Sequence, residues 1–244
     1  MLAIIGGTGL TRLANLEVSR RQGVRTPYGE PSAPLTLGAI HGVPVIFLAR
    51  HGDAHTIPPH QVNYRANLWA LKEQGVREIV SVVSVGGIRK DLGPGKIVVP
   101  HQIIDSTWGR AHTYFDDGAP VKHIDFTEPY SGALRAQLLG AAKKSGEEAV
   151  DGAVYAATQG PRLETAAEID RLEKEGADIV GMTGMPEASL AREIDLAYAA
   201  VAAVVNHAAG RGDSARGIKM QRIEEILEHT MGRVRKIIDC LVTT

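Results

Sequence analysis

Residues 49–60 read ARHGDAHTIPPH and set an arginine, an aspartate and three histidines directly behind the apolar run VIFLA. Three chemistries fit such a cluster: a metal site, an oxyanion site, or solvated surface charge. Metal ligation by His51 and His55 would use i, i+4 spacing on a helix. Gly52 and the pair Pro58-Pro59 argue against a helix there, and no HExxH pattern occurs. The single cysteine, Cys240, excludes a Cys-rich zinc site, so no metal is expected. The oxyanion reading rests on Arg50, whose planar fork suits phosphate, with His51 adding one more donor. Its alternative is a surface ion pair, which the position of Arg50 straight after VIFLA argues against. Gly6, Gly7, Thr8 and Gly9 form a second candidate, a nest of backbone N–H groups with a hydroxyl beside it. The spacing is neither GxxxxGK[ST] nor GxGxxG, and by itself GGTG reads equally as a tight turn. Thr183, in GMTGMPE, would complete a phosphate pocket with Thr8 and Arg50. At the end of AAVAAVVN, Asn206 carries a donor and an acceptor, which suits one edge of a heterocycle. Glu164, in TQGPRLET, could face it. The alternatives are a loop cap for Asn206 and a helix N-terminal charge for Glu164.

These residues stand just beyond apolar runs, and the runs explain the pattern. LAIIGG, VPVIFLA, REIVSVVSVGG, GKIVVP, VDGAVYAATQG, GADIVGMTG and LAYAAVAAVVN read as strands closed by Gly, Pro or polar turns. Several are apolar throughout, as in strands buried on both faces. Helical patterns alternate with them: QVNYRANLWALKEQG, ending at Gly75, then SGALRAQLLGAAKKSG, TAAEIDRLEKEGA, MPEASLAREIDL and a long C-terminal MQRIEEILEHTMGRVRKIIDCLV. No repeat or linker interrupts the series. The expectation is one α/β domain over residues 1–244: a mostly parallel or mixed central sheet between helices, in three layers. In such sheets, ligands collect outside the carboxyl ends of the strands.

Composition narrows the function classes. With 44% hydrophobic and 23% charged residues the chain is ordinary for a globular protein. The net charge of -1 provides no bulk field for nucleic acid or an anionic membrane, and 5% aromatics offer little base-stacking surface. The opening MLAIIGGTGL lacks a basic leader and reads as a strand. No apolar run approaches the ~20 residues of a membrane span, and a cytoplasmic protein is expected.

Taken together, IIGGTGL, LARHGDAHTIPPHQVNYRANLWALKEQG, TQGPRLET, ADIVGMTGMPE and the late AVVN resemble the trimeric purine nucleoside phosphorylase and methylthioadenosine phosphorylase family. The resemblance implies a nucleoside phosphorylase-like fold, a homotrimer, and displacement of a purine from C1′ by orthophosphate. That phosphate is a co-substrate; no cofactor is implied. By position, Thr8, Arg50, His51, Ser84 and Thr183 resemble the family's phosphate ligands, and Met182 the residue against the sugar. Leu163 and Glu164 match the turn that meets the purine, Asn206 the group at N7, and His55 a histidine near the 5′ end of the ribose.

The chain also departs from the adenosine-directed branch of that family. Asn206 and Ala208 stand where that branch has aspartates, and Glu164 where it has a serine. A carboxamide can donate to O6, and Glu164 can accept from N1–H, so the pair suits a 6-oxopurine. A buried mismatch costs about 1–3 kcal/mol per unpaired group, enough to select a base. Over residues 218–223 the hydroxyl-reading branch keeps a histidine; here Met220 and Ile223, at i and i+3, would form an apolar wall suited to a methylthio group. The alternative places both in the core. Ordinary inosine or guanosine, methylthioadenosine, and a non-catalytic phosphate-binding module remain the competing readings. The glycine-rich stretch 211–217 is a candidate lid.

Overall fold

The computed structural model describes residues 1–116, 118 and 120–243. Its centre is a mixed sheet built on β1 (Leu2–Gly6), β2 (Glu17–Gln22), β3 (Leu35–Ile40), β4 (Val43–Ala49), β5 (Glu78–Gly87), β6 (Ile97–Val99), β7 (Gln102–Ser106), β8 (Val150–Asp151), β9 (Val154–Thr158), β10 (Ile179–Gly181) and β11 (Ala197–His207). The helices are α1 (Tyr64–Glu73), α2 (Gly132–Lys144), α3 (Ala166–Lys174), α4 (Gly184–Glu193) and α5 (Met220–Val242). The main path runs β2-β3-β4-β1-β5-β10-β9-β7, and β11, β6 and β8 branch from β5. Parallel pairs (β1 with β4 and β5, β9 with β7 and β10, β11 with β5) mix with antiparallel ones at β2-β3-β4, β10-β5 and β6-β11. The α/β expectation therefore holds, in its mixed form.

The longest apolar runs take the centre. β5 and β11 pair in parallel from Glu78↔Ala197 to Gly87↔His207, and Ile79, Val80, Val82, Ala199, Val201, Ala202 and Val204 are almost fully buried. α5 buries Thr230, Met231, Val234, Ile237, Ile238 and Leu241, one stripe of a 3.6-residue period. It packs on β11 and on α2, while α4 packs on α1 and β11. α1 ends where expected: Gly75 takes the left-handed φ of +81° that terminates a helix.

Some strands differ from the sequence reading. VDGAVYAATQG is two strands, β8 and β9, broken at Gly152 with φ +88°. β2 (EVSRRQ) is exposed along nearly its whole length at a sheet edge, so it lacks the apolar signature by which the inner strands are read.

One feature of the sheet prepares the site. β1 pairs with β5 only from Glu78 to Ser81, and β10 pairs with β5 only at Gly86 and Gly87. Between them β5 has a gap, and the Val82 carbonyl in that gap accepts from Arg50 Nη1 at 3.1 Å. A side chain thus replaces a missing strand.

Candidate active site

A cavity of about 580 Å³ opens at this gap. Gly7 and Thr8 reach it from the end of β1, Arg50 and His51 from β4, and Val83, Ser84, Val85 and Gly86 from β5. Met182 and Thr183 follow β10, Asn206 and Ala208 close β11, and Leu163 and Glu164 come from the turn after β9. His55, Ile218, Met220 and Ile223 complete the wall. The candidate phosphate and nucleoside residues therefore border one space, which Arg50 and Asn206 share, whereas Gly6 and Gly9 of the GGTG turn and the 211–217 stretch do not line it.

Arg50 is fully buried and its fork is turned away from solvent. Nε donates to Glu187 Oε2 at 2.7 Å, and Nη2 to Glu187 Oε1 at 2.9 Å and Ser81 Oγ at 2.6 Å. Ser81 Oγ and Tyr198 Oη also donate to Glu187 Oε1, at 2.7 and 2.8 Å. This corrects the expected open fork: the bidentate face grips a carboxylate, and one Nη1 hydrogen is left beside Gly7. A Cβ on Gly7 would stand 2.8 Å from Nη1 and 2.6 Å from the Val82 carbonyl oxygen, so only glycine permits this approach.

His51 also departs from the donor role expected of it. Its Nδ1 lies 2.8 Å from the Ile57 carbonyl, which can only accept, so Nδ1 carries the proton. Burial, then the Arg50 charge, push its pKa down to about 4. At neutral pH the ring is uncharged and Nε2 is an acceptor, suited to a protonated oxygen of a phosphate. His55, with φ +53°, reaches Thr8 Oγ1 at 3.0 Å and meets the His51 ring edge-on at 5.1 Å. No group of three or more His, Cys, Asp or Glu among the described residues is arranged to hold a metal ion.

The His51 shift has a stability consequence. Between pH 6.5 and 4 the unfolded chain binds a proton there that the folded chain does not. The contribution is full above 6.5 and lost as pH falls through 4. It amounts to about 3 kcal/mol. A His51→Gln variant should show a flatter decline in denaturant midpoint over that window; a slope equal to wild type rejects the assignment.

On the other side of the cavity the Glu164 turn is held by local chemistry. Thr165 caps α3 through a capping box with Glu168, and Glu168 also receives both Arg162 nitrogens, at 2.7 and 2.8 Å. Glu164 Oε1 accepts from Thr158 Oγ1 at 2.5 Å. Burial pushes the Glu164 pKa up, and the Thr158 bond only partly offsets it. Asn206 Nδ2 donates to the His207 carbonyl at 2.6 Å, which fixes the amide orientation and leaves Oδ1 and one N–H. Gly86 packs beside both Asn206 and Ala208. Met220 is 59% exposed at the cavity rim, whereas Ile223 is half-buried and packs against the hydrophobic core as well as lining the cavity. In the 211–217 stretch Arg211 binds Asp170 and Glu173, both at 2.8 Å, and Ser214 is buried, while the remaining residues are exposed.

Sequence reasoning missed two residues that shape the site. Glu187 sits in the noticed GMTGMPE motif, where a carboxylate inside an apolar helix was the available signal. Arg110 lies in irregular chain with no periodicity to mark it. It donates to the carbonyls of Thr158, Gln159, Met182 and Met185 and so ties together two of the turns that line the cavity.

A mixed sheet with donors and a base-sized wall gathered at its strand ends is the architecture of a nucleoside-cleaving phosphorylase, and the chain belongs to the phosphorylase superfamily, whose profile matches residues 1–243. It is 55% identical, over 96% of its length and 94% of the relative's, to a probable S-methyl-5′-thioinosine phosphorylase of Pseudomonas syringae pv. tomato. It is 42% identical to a 6-oxopurine nucleoside phosphorylase of Pyrococcus furiosus, covering 97% of this chain and 90% of that one. Among solved structures it is similar to the methylthioadenosine phosphorylase of Schistosoma mansoni in complex with adenine (TM-score 0.93, 32% identity, 99% of this chain and 90% of the other). No helix among the described residues is long and apolar enough to cross a membrane.

Proposed function

We propose that the chain catalyses phosphorolysis of a 6-oxopurine nucleoside with an apolar 5′ group, S-methyl-5′-thioinosine being the favoured substrate. The products are hypoxanthine and 5-methylthioribose 1-phosphate. The observation that carries the reading is the single cavity shared by the Thr8, Arg50, Thr183 group and the Glu164, Asn206 group. The names of the similar bacterial and archaeal enzymes support it.

Phosphate, placed by Thr8, Arg50, His51, Ser84 and Thr183, attacks C1′ as the C1′–N9 bond breaks and its electron pair passes to the purine. The sugar, lying against Met182, develops cationic character opposite the phosphate charge. Asn206 stabilises charge at N7 and O6, as an oxyanion hole does. Glu164, with Leu163 beside it, reads N1–H. Ile218, Met220 and Ile223 receive the methylthio group. Ala208 leaves the N7 side without the second carboxylate of the adenosine-directed branch. No metal or organic cofactor enters this scheme. A cytoplasmic homotrimer is part of the proposal on family resemblance; sedimentation of the purified protein tests the assembly. Inosine or guanosine is the second reading, supported by the name of the similar Pyrococcus furiosus enzyme, a 6-oxopurine nucleoside phosphorylase.

The test is a panel of inosine, methylthioinosine, adenosine and methylthioadenosine, each with and without phosphate. Phosphate-dependent release of hypoxanthine, fastest from methylthioinosine, is expected. Faster turnover of inosine removes the methylthio assignment. Base release without phosphate makes the chain a hydrolase, and no release makes it a binding module.

A further inference from the structure

Neither Arg50 nor His51 brings a net positive charge to the cavity at neutral pH. Arg50 is neutralised by Glu187 at 2.7 Å, and His51 is uncharged at neutral pH because burial and Arg50 depress it. The amides at the start of α4 are also spent, since Thr183 N and Gly184 N both donate to Tyr155 Oη, at 3.2 and 3.3 Å. Among the described residues, the other buried arginine is Arg110, 9% exposed, and no carboxylate lies within ion-pair distance of it.

All of its donors are used by neutral oxygens. Nε donates to Gln159 Oε1 at 3.2 Å. Nη1 donates to Met182 O at 2.8 Å and Met185 O at 2.6 Å, with Tyr64 Oη at 3.3 Å. Nη2 donates to Thr158 O at 3.2 Å and Gln159 O at 2.8 Å. The guanidinium also lies over the Tyr64 ring, 5.6 Å from its centroid. Carbonyl dipoles solvate the charge but cannot cancel it. Met182, whose carbonyl it holds, and Thr183, the next residue, both border the cavity.

We infer that Arg110 is the positioning residue whose uncompensated charge makes the cavity electropositive and so holds the phosphate, acting through the Met182–Thr183 turn without touching the ligand. This rests on the phosphorolysis reading above. A buried cation without a carboxylate is costly to fold around, and an anion arriving next to it recovers part of that cost. Stability and phosphate affinity are thereby coupled through one side chain.

Gln159→Glu tests this with little disturbance. Gln159 Oε1 already accepts from Arg110 Nε and from Trp108 N at 3.1 Å, so a carboxylate keeps both bonds while cancelling the charge. Calorimetric binding of inorganic phosphate and of hypoxanthine, a neutral ligand, to the full chain near pH 7 is the readout. Phosphate affinity should fall roughly ten- to a hundredfold, and hypoxanthine affinity should stay within about twofold. Arg110→Lys, which keeps the charge but loses part of the carbonyl network, should retain phosphate affinity within about threefold even where its Tm drops. Wild-type phosphate affinity in the Gln159→Glu variant, equal losses for phosphate and hypoxanthine, or loss of phosphate binding in Arg110→Lys each overturns the inference. If the wild-type chain itself neither binds phosphate nor releases base in its presence, the phosphorolysis reading fails instead.

Discussion

Glu187→Ala should cost the fold about 3–5 kcal/mol, the usual penalty for leaving one member of a buried ion pair without its partner. The Arg50 guanidinium is 0% exposed, and Glu187 occupies its Nε and Nη2. Without the carboxylate it retains Ser81 Oγ and the Val82 carbonyl, neither of which carries a charge. Ser81 and Tyr198 lose their common acceptor at the same time. Arg50→Ala alone should be destabilising for the mirror-image reason and should raise the phosphate KM sharply. The informative variant is the double one, Arg50→Met with Glu187→Leu. Replacing both charges by apolar groups removes the unpaired charge, but Ser81 Oγ, Tyr198 Oη and the Val82 carbonyl remain without these partners, so its stability should recover only part of the Glu187→Ala loss. Phosphate-dependent turnover should not return. Denaturant midpoints together with phosphate titrations separate the two effects; a double variant that folds well and keeps wild-type phosphate KM removes Arg50 from the site.

That buried pair also marks the limit of what the sequence discloses. The runs VPVIFLA, EIVSVVSVGG and LAYAAVAAVVN announce themselves because strands buried on both faces are apolar without interruption, and the residues at their ends therefore lie at the mouth of the sheet. Thr8, Arg50, Thr183 and Asn206 are legible in that way, and all four border the cavity, as does Ser84, which only the family resemblance marked. What a side chain faces is another matter. Arg50 could be assigned to the site but not its partner, because Glu187 is 137 residues away. The tautomer of His51 depends on the Ile57 carbonyl, which a turn of backbone brings within reach. Arg110 was invisible for a related reason: its acceptors are backbone carbonyls, which every residue possesses, so nothing in the chain marks them. The edge strand β2 escaped since its alternate positions all meet solvent, and a strand without a buried face has no hydrophobic period to read.

Asn206→Asp should reverse the choice of base. In the present structure the amide nitrogen sits 2.6 Å from the His207 carbonyl, so the side chain is a donor on that edge. An aspartate would bring oxygen against oxygen there. Repulsion and partial burial both favour the protonated acid, which donates its one proton to the His207 carbonyl and turns an acceptor-only oxygen toward the purine. A 6-oxopurine then meets acceptor against acceptor at O6, whereas a 6-aminopurine finds a partner for its N6–H. Losing one donor to a developing negative charge costs about 10²–10³ in kcat, so kcat/KM for methylthioinosine should fall by about that factor. The loss for methylthioadenosine should be at least tenfold smaller, or become a gain. Glu164 limits the reversal. Its carboxyl, pushed upward by burial, is a better acceptor for N1–H when ionised and can donate to the bare N1 of adenine when protonated. The gain for the 6-amino substrate should therefore grow as pH falls, while turnover of the 6-oxo substrate weakens. Parallel steady-state assays of the two nucleosides across pH decide the matter. An unchanged ratio of their kcat/KM values, at every pH, would mean that Asn206 does not read the base.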